Sequence, residues 1–168
     1  GELLDTGGGL YKARWFFDKK EPFILTSSDV ITDLDLNDLI SFHKKNNPLA
    51  TLAVKQRKSS RDFLFDKQYR LCGWHNKVSC ETKLVREVDD PVRIGFSTIH
   101  CLNPAIFNLI IEQGSFSIVD TYLRLALSNT IMGFEHNQSR WFECGRIENY
   151  PILNEECEIR EIYNKYHI

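Results

Sequence analysis

Apolar positions along this chain come in short runs separated by polar turns, the rhythm of strands alternating with helices. Phe23-Ile-Leu25 is an apolar run of strand length. It passes through Thr26-Ser-Ser28 and ends on an acid, Asp29. A second acidic turn, Asp33 and Asp35, leads into a predicted helix. There Leu36, Leu39, Ile40 and His43 recur at i, i+3, i+4 and i+7, one helical face. Asp35 is the predicted N-cap, with Asp38 at the N3 place of a capping-box-like pair. His43 falls at the helix end, at the edge of the core. Asn46-Asn-Pro48 stops the helix, and Leu49 to Val54 is a second buried strand. Strand, helix, strand in this order predicts a right-handed crossover and a parallel pair.

The pattern continues in the same way. Lys55 to Arg61 is polar and basic and predicts a surface loop, a solvated stretch in preference to a phosphate clamp. Phe63-Leu-Phe65 and Tyr69 to Trp74 predict a hairpin. The polar stretch 75–91 predicts a lid or a small antiparallel insert carrying Lys77 and Lys83. Val92 to Leu102 reads as another strand, in which Gly95 permits close backbone approach. Asn103-Pro104 starts a helix carrying Ile106, Phe107, Ile110 and Ile111, ended by Gly114. Ser117-Ile-Val-Asp120 opens a helix that buries Ile118, Tyr122, Leu125 and Ala126. The segments 132–136 and 139–145 read as a hairpin, and helix is predicted from Arg146 onward. At the other end, Leu10, Ala13 and Phe17 line one side of a helix. Gly7, Gly8 and Gly9 precede it as a loop whose amides are free to donate to a ligand.

Composition narrows what these elements do. A chain of 168 residues is one domain with a real core. Lys plus Arg is 21 against 23 Asp plus Glu, and no basic stripe occurs, which argues against nucleic acid as a partner. No apolar run has the length of a membrane span. The first residues lack the basic-then-apolar order of a signal peptide. Five cysteines without a C-x-x-C pair predict free thiols in a reducing cytoplasm.

The candidate chemistry lies in carboxylates at strand ends. Ligands of open α/β sheets bind there, and Asp29 and Glu143 both stand where an apolar run gives out. Mg²⁺ asks for only one or two protein carboxylates, with water and phosphate completing its shell. For Asp29 the competing reading is a turn residue. For Asp33-Leu-Asp35, which spells the D-x-D of some glycosyltransferases, helix capping is an equal explanation.

Four pieces stand in one order: Leu4-Asp-Thr-Gly-Gly-Gly9, Pro22-Phe-Ile-Leu-Thr-Ser-Ser-Asp29, Ile94-Gly-Phe-Ser-Thr-Ile-His100 and Arg140-Trp-Phe-Glu-Cys-Gly145. In this the chain resembles the sugar-1-phosphate nucleotidyltransferase family, above all the small bacterial members that make UDP-N-acetylmuramic acid, GDP-mannose or nucleotide-activated heptose. The resemblance implies an α/β fold, a Rossmann-like mixed, mostly parallel sheet flanked by helices. It implies an enzyme that transfers NMP from an NTP to a sugar 1-phosphate. Thr6, Gly7 and Gly8 would lie along the base and ribose. Asp29 and Glu143 would be the catalytic Mg²⁺ ligands. Gly95 and Thr98, with Lys83 or Lys77, would meet the sugar phosphate. The chain departs from the family in Glu143, where Asp is usual, and in Ser27-Ser28, where Asn-Gly is usual. The family's first strand, its Arg-bearing glycine loop and its Pro-Lys segment have no counterpart here. Residues 1–168 are therefore expected to be the C-terminal part of a longer domain, and nearly inactive alone. A module that binds nucleotide or sugar without turnover is the alternative. The charged C-terminal helix offers a surface for a homo-oligomer.

Overall fold

The structure, a computed structural model, describes residues 3–17 and 20–145. The helix expected from Arg146 onward lies outside the described residues. Three α-helices are described: α1 (Asp5–Lys12), α2 (Leu36–Asn46) and α3 (Ile118–Leu125). The strands are β1 (Phe23–Thr26), β2 (Val30–Thr32), β3 (Ala50–Lys55), β4 (Arg61–Phe65), β5 (Leu71–Asn76), β6 (Thr82–Leu84), β7 (Val92–Leu102), β8 (Ile131–Glu135) and β9 (Trp141–Glu143).

The main sheet runs β6-β5-β4-β7-β3-β8, with β1 also on β7, and β2 and β9 form a separate ladder. It is a mixed α/β sheet flanked by helices, the expected class. The centre of it is β7. One edge of β7 carries β3. The other carries β4 opposite Val92 to Gly95 and then β1 opposite Ile99 to Leu102. Thus Leu25 and Leu52 both have His100 as partner, from opposite sides. The crossover from β1 through α2 to β3 does leave the two strands running the same way. They are not neighbours, because β7 is inserted antiparallel between them. The parallel ladder is β3 with β8, from Ala50↔Ile131 to Val54↔Glu135.

Alternation along β3 divides the core. Leu52 and Val54 face α1 and α3 in a cluster with Phe63, Phe65, Ile106 and Tyr122. Ala53 faces the other way, with Ile99, Cys101 and Leu39 of α2. The helix signals are used as the sequence predicts. The Asp35 carboxylate accepts from Asn37 N–H at 2.8 Å, and the Ser117 hydroxyl accepts from Val119 N–H at 3.2 Å. Such caps each contribute about 1 kcal/mol. Ile118, Tyr122, Leu125 and Ala126 are all buried. His43 is deeper than expected: it is a core residue, with Nδ1 against the Thr51 hydroxyl at 2.9 Å.

Four expectations need correction. Gly7, Gly8 and Gly9 are not a loop but lie inside α1, and the Gly7 and Gly8 amides both donate to the Phe116 carbonyl, at 2.9 and 3.3 Å. The helix from Pro104 is a short 3-10 turn ending at Asn108, and Ile111 is exposed. Leu36, in the first turn of α2, also faces solvent. Residues 132–145 are not a hairpin, since β8 pairs with β3 and β9 with β2. The loop between them is held on the end of β3, where the Lys55 ammonium donates to the Asn137 and Ser139 carbonyls at 2.6 and 2.7 Å. That hold carries β9 away from β8. No described helix is long and apolar enough to cross a membrane.

Candidate active site

Two arms of the chain meet at the β2–β9 ladder. Its register, Val30↔Glu143, sets Asp29 across from Cys144, whose N–H donates to the Asp29 carbonyl at 2.7 Å. The Asp29 side chain lies over Gly145. A Cβ on Gly145 would stand 2.3 Å from Asp29 Oδ2, so any larger residue there would push the carboxylate from its present place. The ladder is anchored from behind. Asp33 accepts from Arg140 N–H at 2.7 Å and from its Nε at 2.9 Å, and the Thr32 hydroxyl donates to the Arg140 carbonyl at 2.6 Å. Burial pushes the Asp33 carboxyl up, but the bonds and charge of Arg140 outweigh it and hold it below the usual carboxylate range.

Beside this ladder is a cleft of about 610 Å³. It opens on the edge of β7 between the last partner of β4, Gly95, and the last partner of β1, Ile99. A register shift between β3 and β7 lies at the same level. There Thr98 has φ +57°, the left-handed region that a β-branched residue seldom adopts. Arg57, Arg61, Trp74, Phe96, Thr98 and Glu143 are among its walls. The rings of Trp74 and Phe96 supply apolar faces, and the arginines supply positive charge. Thr98 donates its hydroxyl proton to the Ser97 carbonyl at 2.7 Å, which leaves its oxygen as an acceptor toward the cleft.

The structure treats the sequence-derived candidates unevenly. Asp29 stands next to Val30, the ladder partner of Glu143, and Glu143 and Thr98 share the cleft, which Asp29 does not line. Gly95 is buried beneath the Arg57 side chain. Lys83 stands over the Trp74 ring, 5.4 Å from its centroid, and pairs with Asp120 at 3.0 Å. Lys77 is engaged with the buried Asp62 at 2.7 Å, which spends its charge on the fold. Thr6, Gly7 and Gly8 do not line the cleft. The Thr6 hydroxyl accepts from Ile118 N–H at 3.2 Å, and the two glycines pack on Gly114 and Phe116. Sequence reasoning did not single out Arg57 or Trp74 of the cleft, nor the buried His136 behind it. The first was hidden in a basic loop that reads as solvated surface. His136 holds the Ser97 hydroxyl at 2.8 Å, and burial pulls its imidazole down to about 4.

The carboxylate pair fits a hard divalent cation. Among the described residues no group of three or more His, Cys, Asp or Glu gathers as a metal cage. Mg²⁺ asks for only one or two protein carboxylates when phosphate completes its shell, so Asp29 and Glu143 are sufficient in kind and number. The Gly145 cradle leaves the Asp29 carboxylate room to serve. Cys144 is poorly suited to add a thiolate, since burial and then the Asp29 charge push its thiol up.

Comparison with known proteins bears on the sequence as a whole and on the fold. No family model matches the chain. The sequence is 30% identical over 156 residues to a mannose-1-phosphate guanyltransferase of Yarrowia lipolytica, covering 89% of this chain and 40% of that protein. It is 25% identical over 136 residues to a glucose-1-phosphate cytidylyltransferase of Salmonella typhimurium, covering 81% of this chain and 49% of that one. The fold is similar to that of a UDP-glucose pyrophosphorylase from Acinetobacter baumannii, with TM-score 0.71 at 16% identity over 97% of this chain and 61% of that one. The chain spans about half the length of the curated relatives it matches. Its sequence is therefore similar to sugar-1-phosphate nucleotidyltransferases, and its fold is that of nucleotide-diphospho-sugar transferases.

Proposed function

We propose that this chain forms the sugar-phosphate and metal side of a sugar-1-phosphate nucleotidyltransferase. The reaction transfers NMP from an NTP to a sugar 1-phosphate and releases pyrophosphate. The observation behind the reading is the β2–β9 ladder, in which Glu143 pairs with Val30, the neighbour of Asp29, and Glu143 lines a cleft that also holds Arg57 and Arg61.

Each residue has a role in that reaction. An oxygen of the sugar 1-phosphate attacks the α-phosphorus of the NTP. The bond from that phosphorus to the bridging oxygen breaks, and pyrophosphate leaves with the electron pair. The protein supplies no nucleophile; positioning and charge do the work. Asp29 and Glu143 would hold Mg²⁺, which when bound neutralises charge between the two phosphates. Lys83, which stands over Trp74, would exchange its Asp120 partner for the sugar phosphate. Gly95 leaves room for the Arg57 side chain to lie over it, and the Thr98 oxygen is an acceptor for a sugar hydroxyl.

A second reading is a binding module without turnover. The observation behind it is that no group of three or more His, Cys, Asp or Glu gathers as a metal cage among the described residues. Two measurements separate the readings. Mg²⁺-dependent binding of mannose 1-phosphate and GTP is followed by calorimetry. Pyrophosphate release is followed in the full-length protein and in this chain alone. We expect both ligands to bind, and release in the full-length protein to fall at least a hundredfold in Asp29→Asn. Binding with no release from folded full-length protein would leave the binding module. The 168-residue chain alone is expected to release little pyrophosphate.

A further inference from the structure

Arg57 is held more firmly than a surface arginine. Its side chain runs back from the end of β3 over Gly95, where a methyl group would come within 3.1 Å of its Cγ and 3.3 Å of its Nε. The guanidinium lies on the Trp141 ring, 4.2 Å from the centroid. It donates from Nη2 to the Phe96 carbonyl at 2.6 Å. Its Nε is buried without an acceptor among the described residues. A guanidinium fixed on three sides has little rotamer freedom left to lose when an anion arrives.

Its position relative to Glu143 follows from the strand. Trp141 and Glu143 are alternate residues of β9 and share a face. A guanidinium stacked on the indole therefore lies toward the Glu143 carboxylate, and both side chains line the cleft. Burial pulls Arg57 down from its ordinary value, and the charges of Glu143 and then Asp62 oppose that. Asp62 already has Lys77 at 2.7 Å. Glu143 is thus the carboxylate that Arg57 answers on the cleft side.

We propose that Arg57 couples cation binding to anion binding in this cleft. It balances Glu143 while no divalent cation is there, and it turns its charge to a phosphate oxygen of the sugar 1-phosphate once a cation has taken Glu143. The inference rests on the reading of Asp29 and Glu143 as the cation's carboxylates. Its logic is electrostatic. A cation arriving alone faces the repulsion of Arg57, and an anion arriving alone faces Glu143. When both arrive, each charge has an opposite neighbour, so each ligand tightens the other by the same factor.

The test is Mn²⁺ binding followed by electron paramagnetic resonance, with and without α-D-mannose 1-phosphate. It is made on the unaltered protein and on Arg57→Gln, Arg57→Lys and Asp29→Asn. In the unaltered protein the sugar phosphate is expected to tighten Mn²⁺ about tenfold. Arg57→Gln is expected to bind Mn²⁺ alone as well or about threefold better, because a competing charge is gone, and to lose the coupling. Arg57→Lys, which keeps a charge but not the stacked fork, is expected to fold and to keep part of the coupling. A role confined to packing would weaken Mn²⁺ alone and leave the coupling factor unchanged; either result in Arg57→Gln or Arg57→Lys overturns the proposal. Asp29→Asn tests the underlying reading separately: undiminished Mn²⁺ binding in that variant would sink the carboxylate assignment itself.

Discussion

The Asp29 carboxylate rests on the bare Cα face of Gly145, so close that a Cβ there would stand 2.3 Å from its Oδ2. Gly145→Ala is therefore expected to swing the Asp29 side chain away while leaving the β2–β9 ladder paired. Carboxylate geometry matters strongly to Mg²⁺, which tolerates little departure from octahedral coordination. We expect Mn²⁺ affinity to fall about tenfold or more, with a change in unfolding free energy under about 1 kcal/mol. Metal titration and urea unfolding of the same samples check this. A variant with intact affinity would show that Asp29 does not reach the cation.

The glycines of α1 make opposite predictions within three positions. A Cβ on Gly8 would stand 2.2 Å from the Gly114 carbonyl oxygen, which is backbone and cannot step aside. Gly8→Ala should cost about 1–3 kcal/mol through overpacking. A Cβ on Gly9 meets nothing within 4 Å. Gly9→Ala should stabilise α1 by about 0.5–1 kcal/mol, the usual gain for alanine within a helix. Urea midpoints of the two variants check the pair. If Gly9→Ala destabilised the protein as much as Gly8→Ala, the helical packing account would fail.

These same glycines mark where the sequence stopped being legible. Periodicity found α2, β3, β7 and α3, because Leu39, Val54, Ile94 and Tyr122 sit on faces that burial selects locally. The Asp35 and Ser117 caps were legible for the same reason: both act on the next two residues. Pairing was not. Nothing local in Val92 to Leu102 says that β7 inserts between β1 and β3, nor that β9 leaves β8 for β2. Those choices are made by distant contacts, such as Lys55 on the Asn137 and Ser139 carbonyls and Arg140 on Asp33. The glycines looked like a ligand loop because the reason for Gly7 and Gly8, close packing on Phe116 and Gly114, is more than a hundred positions away, while Gly9 packs on nothing. Motif order singled out Thr98 and Glu143, and both line the cleft. It did not single out Arg57, since a basic loop looks the same whether its arginine stacks on Trp141 or waves in water.

Acid sensitivity follows from three buried histidines. Burial pulls His43 and His136 down to about 4 and His100 to about 3. A second ring nitrogen of His43 and of His136 is buried without a partner, which makes a charged ring costly there. In the unfolded chain each titrates near its ordinary 6.5. Between the two values the unfolded state binds more protons, so stability is fully present above about pH 6.5 and is lost as pH falls toward about 4. With all three engaged the slope is on the order of 4 kcal/mol per pH unit. Urea midpoints from pH 8 to pH 5 should be flat at first and then drop. A flat profile down to pH 5 would mean these histidines accept protons in the folded state.

The Asp33-Leu-Asp35 spelling invites a metal role, and the structure gives both acids other work. Asp35 caps α2 through Asn37 N–H, and Asp33 takes the Arg140 backbone and guanidinium. Asp35→Ala should therefore cost about 1 kcal/mol of stability and leave Mn²⁺ binding unchanged. Asp33→Ala should cost more, about 1–3 kcal/mol, because two Arg140 donors lose a partly buried acceptor. It should also weaken Mn²⁺ indirectly, since Arg140 leads directly into the strand that bears Glu143. The indirect character has a signature. Restoring an acceptor with Asp33→Asn should recover part of the Mn²⁺ affinity, because the backbone bond to Arg140 needs an oxygen and not a charge. A direct ligand would behave differently: its amide would bind Mn²⁺ as poorly as its alanine. Metal titrations of the three variants decide whether Asp33 is an anchor behind the site or a member of it.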